Sequence, residues 1–480
     1  MQDLAPSTGR GLDALEQRVR TELELLKYPE LPWVPPRQVD GKAVLDVLIV
    51  GAGQGGLAVA SMLLQERVDN ILVIDAAPRG REGPWRTYAR MKTLRSWKTV
   101  TGPDLGFPSL TFQAWFEAQH GTAAFEALGK IAKEDWNDYL LWLRDTLALP
   151  VENGTRLQGI EPAGELLAAT LEDGRGQRVV LARKLVLAMG IERSGQWWMP
   201  PAVASLPPHL RAHTGDAIDF ASLAGRRVAV LGAGASAFDN AATALEAGAA
   251  EVRLFVRRAE LQRVQPYKAI SYPGFLRHFR ELDDATRWRF MHHLLSIREA
   301  LPPETWDRCT RHRNFHLHTG SPWNQLTRAG GAVLIDTPSG RFTADFLICG
   351  TGFELDVAKR PELAAFGAHI ATWADHYTPP PALAQPRLDG FPYLGPGLEL
   401  VEKTPGTAPF LANIHLFDFG ATMSMGPSGA SINAMKFVVP RLVGAITRDF
   451  FMADIEHHYR VMMDYQTPEF PLSFARDRIA

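Results

Sequence analysis

Two cysteines in 480 residues cannot build a disulfide framework or a cysteine-rich metal site. Cys309 and Cys349 stand far apart in the chain, so they also lack the close spacing of a dithiol relay. Charge of one sign is missing too: 51 basic against 53 acidic residues leave −2, without the basic excess that collects nucleic-acid phosphates. No apolar run approaches the roughly 20 residues of a spanning helix. No basic stretch followed by an apolar one marks a signal peptide at Met1-Gln-Asp-Leu. The fourteen histidines have no ligand spacing that suggests a metal. No repeat or low-complexity tract is visible. What the chain has is 46% apolar and 22% charged residues, the make-up of a large folded cytoplasmic enzyme.

Leu12, Leu15, Val19, Leu23 and Leu26 recur at helical spacing, predicting an amphipathic leader helix packed on the main body. Pro29, Pro32, Pro35 and Pro36 end it and stiffen a linker. Beyond it one arrangement occurs twice. Strand Val44–Val50 enters Gly51-Ala-Gly53-Gln-Gly55-Gly56 and an Ala/Leu-rich helix. Much later in the chain, strand Arg227–Leu231 enters Gly232-Ala-Gly234-Ala-Ser236-Ala237 and an Ala-rich helix. Each is followed by a second apolar strand, Ile71–Ile74 and Val252–Val256. Strand, glycine turn, helix, strand opens a doubly wound α/β sheet. The first glycine permits a tight turn and the second lets backbone approach a pyrophosphate. The third brings the helix against the strand with its N-terminal amides facing phosphate. Ala237 stands at the third position of the second loop.

The ends of the following strands separate the two ligands. Asp75 closes the strand after the first loop, where a carboxylate accepts from a ribose diol and repels a 2′-phosphate; that selects FAD or NAD. The equivalent place in the second unit holds Arg257 and Arg258, whose guanidinium groups match a 2′-phosphate and favour NADPH. Two further strands end in small residues, Lys184–Leu187 before Ala188-Met-Gly190 and Asp345–Ile348 before Cys349-Gly-Thr351-Gly352-Phe353. The fold expected is therefore α/β, with two Rossmann-like dinucleotide-binding domains, for FAD and NADPH. The divisions are a leader and linker over 1–40, an FAD domain over 41–205 resumed over 331–480, and an NADPH domain over 206–330. Within the last, 265–325 reads as a helical insertion, Trp288, Met291, Leu294 and Leu295 falling on one face.

From about residue 44 to 440 the chain resembles the class B flavin-dependent monooxygenases, closest in tendency to the branch that N-hydroxylates amines and amino acids. The resemblance rests on Gly51/Gly53/Gly56, on Glu82-Gly83-Pro84-Trp85 (the family's G-G-x-W without its first glycine), on Ala188-Met-Gly190, on Gly232/Gly234/Ala237, and on Cys349-Gly-Thr351-Gly352-Phe353, similar to the family's A-T-G-Y. The family's F-x-G-x-x-x-H-[ST] ends at His213-Thr214, but Pro207 and His209 replace its Phe and Gly, and Ala217 stands where a later aromatic is expected. That departure weakens the Baeyer–Villiger branch. His213 is expected to be a structural histidine of the linker.

The resemblance implies that NADPH reduces FAD and that dioxygen adds to give a C4a-(hydro)peroxyflavin, with no side chain acting as a covalent catalyst. It implies a small-molecule substrate, an amine or a carboxylate-bearing amino acid. Oxygen insertion beside a ketone, sulfur oxidation, and a flavin-binding redox protein without oxygenase activity stand as alternatives. In the N-hydroxylases a lysine in a context like that of Lys98 holds the substrate carboxylate, with Arg95 a helper. A second candidate is the basic segment 275–318, with eight arginines and six histidines against six acids, densest at Arg311, His312, Arg313, His316 and His318. The small residues Gly420, Ser424, Gly426, Ser428, Gly429, Ser431 and Asn433 suggest close backbone approach to flavin or substrate. The leader helix and the basic insertion are candidate surfaces for contact between copies of the chain.

Overall fold

The computed structural model describes residues 10–191, 193–427 and 431–470. The leader forms a helix, Arg10–Leu26, seated by Leu15 and Val19, both buried. It crosses helix Phe112–His120 so closely that a Cβ on Gly11 would stand 1.8 Å from Ala118 O. Leu26 turns outward and is 65% exposed, so the apolar stripe outruns the contact.

Two larger sheets carry most of the rest, the first parallel at its centre with an antiparallel flank, the second parallel throughout. In the first, the strands run Val151–Asn153, Ile71–Asp75, Lys42–Val50, Gly176–Leu187, Leu166–Asp173, Arg156–Ala163. Lys42–Val50 is parallel to both of its long neighbours, pairing Val50 with Ile74 and with Leu187. It is buried from Val47 to Val50, as a strand covered on two faces must be. Ile414–Leu416 returns from far along the chain to pair parallel with Leu185–Leu187. The first unit is thus interrupted in sequence.

In the second sheet five parallel strands run Phe315–His318, Glu251–Phe255, Arg227–Leu231, Phe346–Cys349, Arg211–His213. Two of these fall outside the expected boundaries. Phe346–Cys349 pairs directly with Val228–Leu231, so the second unit continues past residue 330 to about the loop at 350–352. Phe315–His318 is the edge strand beside Val252–Phe255, so the helical insertion ends before it. The strand was hidden because its alternating Phe and Leu sit among histidines.

The insertion proper comprises Tyr267–Ile270, Pro273–His278, Asp284–Ile297 and Pro303–Thr310. Trp288, Met291 and Leu294 are buried in a cluster with Phe279, Trp373, Phe391 and Met423, which fastens the insertion to the C-terminal third of the chain. Among the described residues no helix is long and apolar enough to cross a membrane.

Candidate functional site

The first loop closes between Val50 and helix Gln54–Gln65. Gly51 takes φ +106°, a left-handed region costly for other residues, and a Cβ there would be 2.5 Å from Ala188 O. On Gly56 a Cβ would meet Gly51 O at 1.8 Å, so helix and strand touch because that residue has no side chain. Gly53 has nothing within 4 Å of where a Cβ would be, leaving backbone open to a ligand. Asp75 accepts from Ala52 N and Ala77 N, one at each carboxylate oxygen, both at 2.8 Å. Burial raises its pKa, and those two amides oppose the rise. Each oxygen keeps a lone pair for a ribose hydroxyl.

A cleft beside this loop is lined by Ala52, Gly53, Leu57, Glu82, Asn137, Leu140 and Arg144. Glu82, standing where the family motif has glycine, is buried and accepts from Arg144 (3.1 Å) and Asn153 (2.7 Å). Asn137 is 3% exposed, and its Nδ2 has no hydrogen-bond partner among the described residues. A buried amide donor left unpaired costs on the order of 1–3 kcal/mol, and a phosphate or ribose oxygen in this cleft would relieve it. These features fit the adenosine-diphosphate half of FAD. Trp136 donates through Nε1 to Gln54 Oε1 (3.1 Å) and meets Trp85 edge-on, ring centroids 6.5 Å apart, which ties the buried Trp85 to the same loop. Neither Asn137 nor Trp136 belongs to a motif; single residues in helix Lys133–Thr146, they carry no sequence signal. Asn137→Leu is expected to weaken FAD binding about 10-fold, the loss of one charge-assisted bond, without lowering the melting temperature of the FAD-free chain; flavin fluorescence titration and thermal unfolding check it.

The second loop repeats the design with one exchange. Gly232 has φ +147°, and its Cβ would be 2.4 Å from Gly350 O; Gly234 is open, with nothing within 4 Å. Ala237 is tolerated because its methyl faces Gly350, where a Cβ would approach the Ala237 Cβ to 2.6 Å. The space taken on the helix is returned by the strand end opposite. Ser236 is exposed on the first turn of helix Ala235–Glu246, its hydroxyl without a partner among the described residues. Arg257 and Arg258 are both exposed but differ. Arg258 donates to Ser296 O (2.5 Å) and Ile297 O (3.2 Å), while Arg257 makes no hydrogen bond or ion pair among the described residues. The loop and the free guanidinium of Arg257 fit NADPH.

The two units meet beyond these loops. Thr351 Oγ1 donates to Trp198 O and Trp198 N to Gly352 O (3.0 Å), with Gly352 at φ +83°. His213 is fully buried and stacks on Trp197, centroids 4.8 Å apart. Its Nδ1 accepts from Gly215 N (3.1 Å) and burial lowers its pKa, the profile of a packed linker histidine.

The expected substrate residues are not brought together as a set. Lys98 Nζ donates to Phe125 O (2.7 Å) and Glu126 O (2.8 Å), closing the end of helix Thr122–Ala127, and so is engaged away from any carboxylate. Arg95 and Arg311 do share a crevice, of about 500 Å³, between segment Met91–Arg95 and helix Pro303–Thr310, with Lys92, Lys130 and Arg308. Arg313 is exposed and does not line it. Most cations that line the crevice are paired with carboxylates. Arg95 pairs with Glu299 (3.1 Å) and Asp239 (3.5 Å), Lys92 with Glu246 (3.2 Å) and Lys130 with Glu304 (2.5 Å). Arg308 holds Asp239 (3.2 Å) and Glu246 (2.9 Å). Arg311 has no carboxylate partner among the described residues; its Nε donates only to Asp307 O (3.3 Å). Nearby, His316 faces Glu251 and His318 stacks on Phe255.

In the C-terminal stretch, the ring of Phe417 would lie 3.2 Å from a Cβ on Gly55, so this segment passes the first loop. Asp418 behind it is buried on Arg360 (2.8 Å). Ser424 is buried and accepts from Leu394 N, Gly426 (φ +86°) lies against Phe279, and Ser431 donates to Asn433 (2.5 Å). Gly420 N donates to Asp418, while Ser428 and Gly429 lie outside the described residues.

Two such loops, each following a strand with parallel neighbours in its own sheet, define a flavoprotein oxidoreductase of the two-dinucleotide type. The chain belongs to the pyridine nucleotide-disulphide oxidoreductase family, whose model matches residues 48–300, and its place there is among the flavin-dependent monooxygenases. It is 44% identical over 460 residues to the FAD-dependent urate hydroxylase of Xanthomonas campestris pv. campestris, spanning 96% of this chain and 97% of that one. Its fold matches the ornithine hydroxylase of Pseudomonas aeruginosa (TM-score 0.65, 17% identity, 84% of this chain and 99% of that one). It also matches the L-lysine 6-monooxygenase of Pseudomonas syringae (TM-score 0.64, 20% identity, 84% and 99%). The disulphide chemistry in the family's description has no counterpart in the thiols. Cys309 packs on the helix side of the second sheet and Cys349 on the opposite side, and burial pushes both up to about 12.

Proposed function

We propose that the chain is a FAD- and NADPH-dependent monooxygenase that hydroxylates urate. The observation that carries this reading is the end-to-end similarity to a urate hydroxylase, with both dinucleotide loops intact. FAD is held by the first unit through Gly51, Gly53, Gly56, Asp75 and Asn137, and NADPH by the second, from about 206 to 352, through Gly232, Gly234, Ser236 and Arg257. Bound and reduced by NADPH, the flavin supplies the oxygen-transfer chemistry with dioxygen. The chain's own residues bind and orient. The urate anion enters the crevice of about 500 Å³, a volume within the range of small-molecule sites. Arg311, the lining cation without a carboxylate among the described residues, takes the anion there, beside Arg95. Urate has no amino-acid carboxylate for Lys98 to hold, in keeping with the engagement of that lysine by Phe125 and Glu126. The compartment that fits is the cytoplasm, where two buried thiols stay reduced.

A second reading is N-hydroxylation of an amine, favoured by the fold shared with ornithine and lysine hydroxylases. NADPH oxidation measured with urate, ornithine, lysine and cadaverine, alongside peroxide release, separates the two. Urate is expected to consume NADPH mole for mole with little peroxide, and the amines to give none of this coupling; the opposite pattern selects the second reading. Arg311→Ala is expected to raise the KM for urate about 10- to 100-fold, the cost of one charge-assisted contact, with kcat nearly kept.

A further inference from the structure

Helix Ile455–Asp464 near the end of the described chain has no buried residue. Ile455, Tyr459 and Met462, spaced 4 and 3, form one apolar stripe and are 41, 55 and 61% exposed, and Met452 at the end of the preceding helix is 63% exposed. Isolated helices shorter than about 12–15 residues are marginal in water, so a ten-residue helix with nothing buried needs a cover. It is nonetheless held in place at its start. Asp454 is buried on Arg37 (2.6 Å) and Arg183 (2.7 Å), and His458 meets the ring of Trp33, centroids 5.8 Å apart. Just before Trp33 the linker adds Tyr28 and Leu31, 86 and 73% exposed, so apolar surface approaches from a second element. Exposed apolar patches of this breadth on a folded chain mark contact sites.

The charges on the helix point to what covers it. Glu456 and Arg460 are exposed and make no ion pair among the described residues; Arg460 Nε reaches only the backbone oxygen of Glu456 (3.3 Å). A two-fold contact places one surface against itself, so residue i meets j and j meets i. An antiparallel copy with its axis near residue 458 sets Glu456 opposite Arg460 of the partner subunit, twice over. The same register lays Ile455 of one copy beside the apolar turn at 461–462 of the other. A lipid surface fits less well. Glu456, Arg460 and Asp464 sum to −1, whereas helices that lie on anionic bilayers have faces rich in Lys and Arg.

We propose that this face is the two-fold interface of a homodimer of the chain. Light scattering on the full chain at micromolar concentration is expected to give twice the 53.0 kDa mass of one copy. The variant Tyr459→Glu/Met462→Glu is expected at monomer mass, with unchanged circular dichroism because both side chains are exposed. Glu456→Arg and Arg460→Glu each weaken the dimer 10-fold or more, and the two combined restore it, since the reversed charges again face each other. A wild-type mass of one copy overturns the proposal. So does a dimer indifferent to all four variants, or co-sedimentation of a monomer with phosphatidylserine vesicles.

Discussion

Gly53→Val is expected to fold normally and to purify without FAD. Nothing in the protein lies within 4 Å of the Cβ position at Gly53, so the free chain accommodates a side chain there. Its φ of −74° is ordinary for any residue, and losing a glycine N-cap costs a few tenths of a kcal/mol to about 1. The open space is where the pyrophosphate must approach backbone, so the valine methyls exclude the ligand rather than the fold. A loss of at least about 100-fold in FAD affinity, some 2.8 kcal/mol, is expected. Visible absorbance of the purified protein reads it, with circular dichroism and NADPH fluorescence as fold controls. A yellow protein of normal flavin content would contradict the assignment. Gly56→Val behaves differently. Its Cβ would strike Gly51 O, so it is expected to lower stability as well as flavin content.

Arg257→Ala is expected to raise the KM for NADPH about 10- to 100-fold and to leave that for NADH within about twofold. The guanidinium of Arg257 is exposed and unengaged among the described residues, so removing it disturbs no contact there in the free chain. A bond from a guanidinium to a phosphate contributes about 1.5–3 kcal/mol, and NADH has no 2′-phosphate to lose it. Arg258→Ala is expected to have the smaller effect on NADPH, because Arg258 is already bound to Ser296 O and Ile297 O. Steady-state kinetics with both nucleotides decide; equal losses for NADPH and NADH would remove the 2′-phosphate from the account.

Both loops were legible in the sequence because their glycines stand where a positive φ, a close backbone contact or open backbone toward a ligand is needed, and strand and helix frame each loop on both sides. The pairing of Ala237 with Gly350 was not, since the two lie far apart in the chain and only the parallel strands bring them together. Domain limits failed where a strand pairs at long range. Nothing local in Phe346–Cys349 tells which of two sheets it joins, and the hydrogen bonds to Arg227–Leu231 decide it. The charged candidates were the least legible. Composition counts Arg308 among the cations of 275–318 but not the acids that reach it from elsewhere, Asp239 and Glu246 of the second glycine-loop helix. Lys98 shows the same limit, as its long side chain turns to the carbonyls of a neighbouring helix. Asn137 had no signal, and its importance rests on one unpaired buried donor.

One oxygen atom of dioxygen is expected to be transferred to urate. Turnover of the FAD-loaded chain with NADPH and urate under ¹⁸O₂, followed by mass spectrometry of the immediate product, tests it most directly. One ¹⁸O atom incorporated per urate consumed, with one NADPH oxidised, is the result expected. NADPH oxidation that yields only labelled peroxide and leaves urate intact would contradict it.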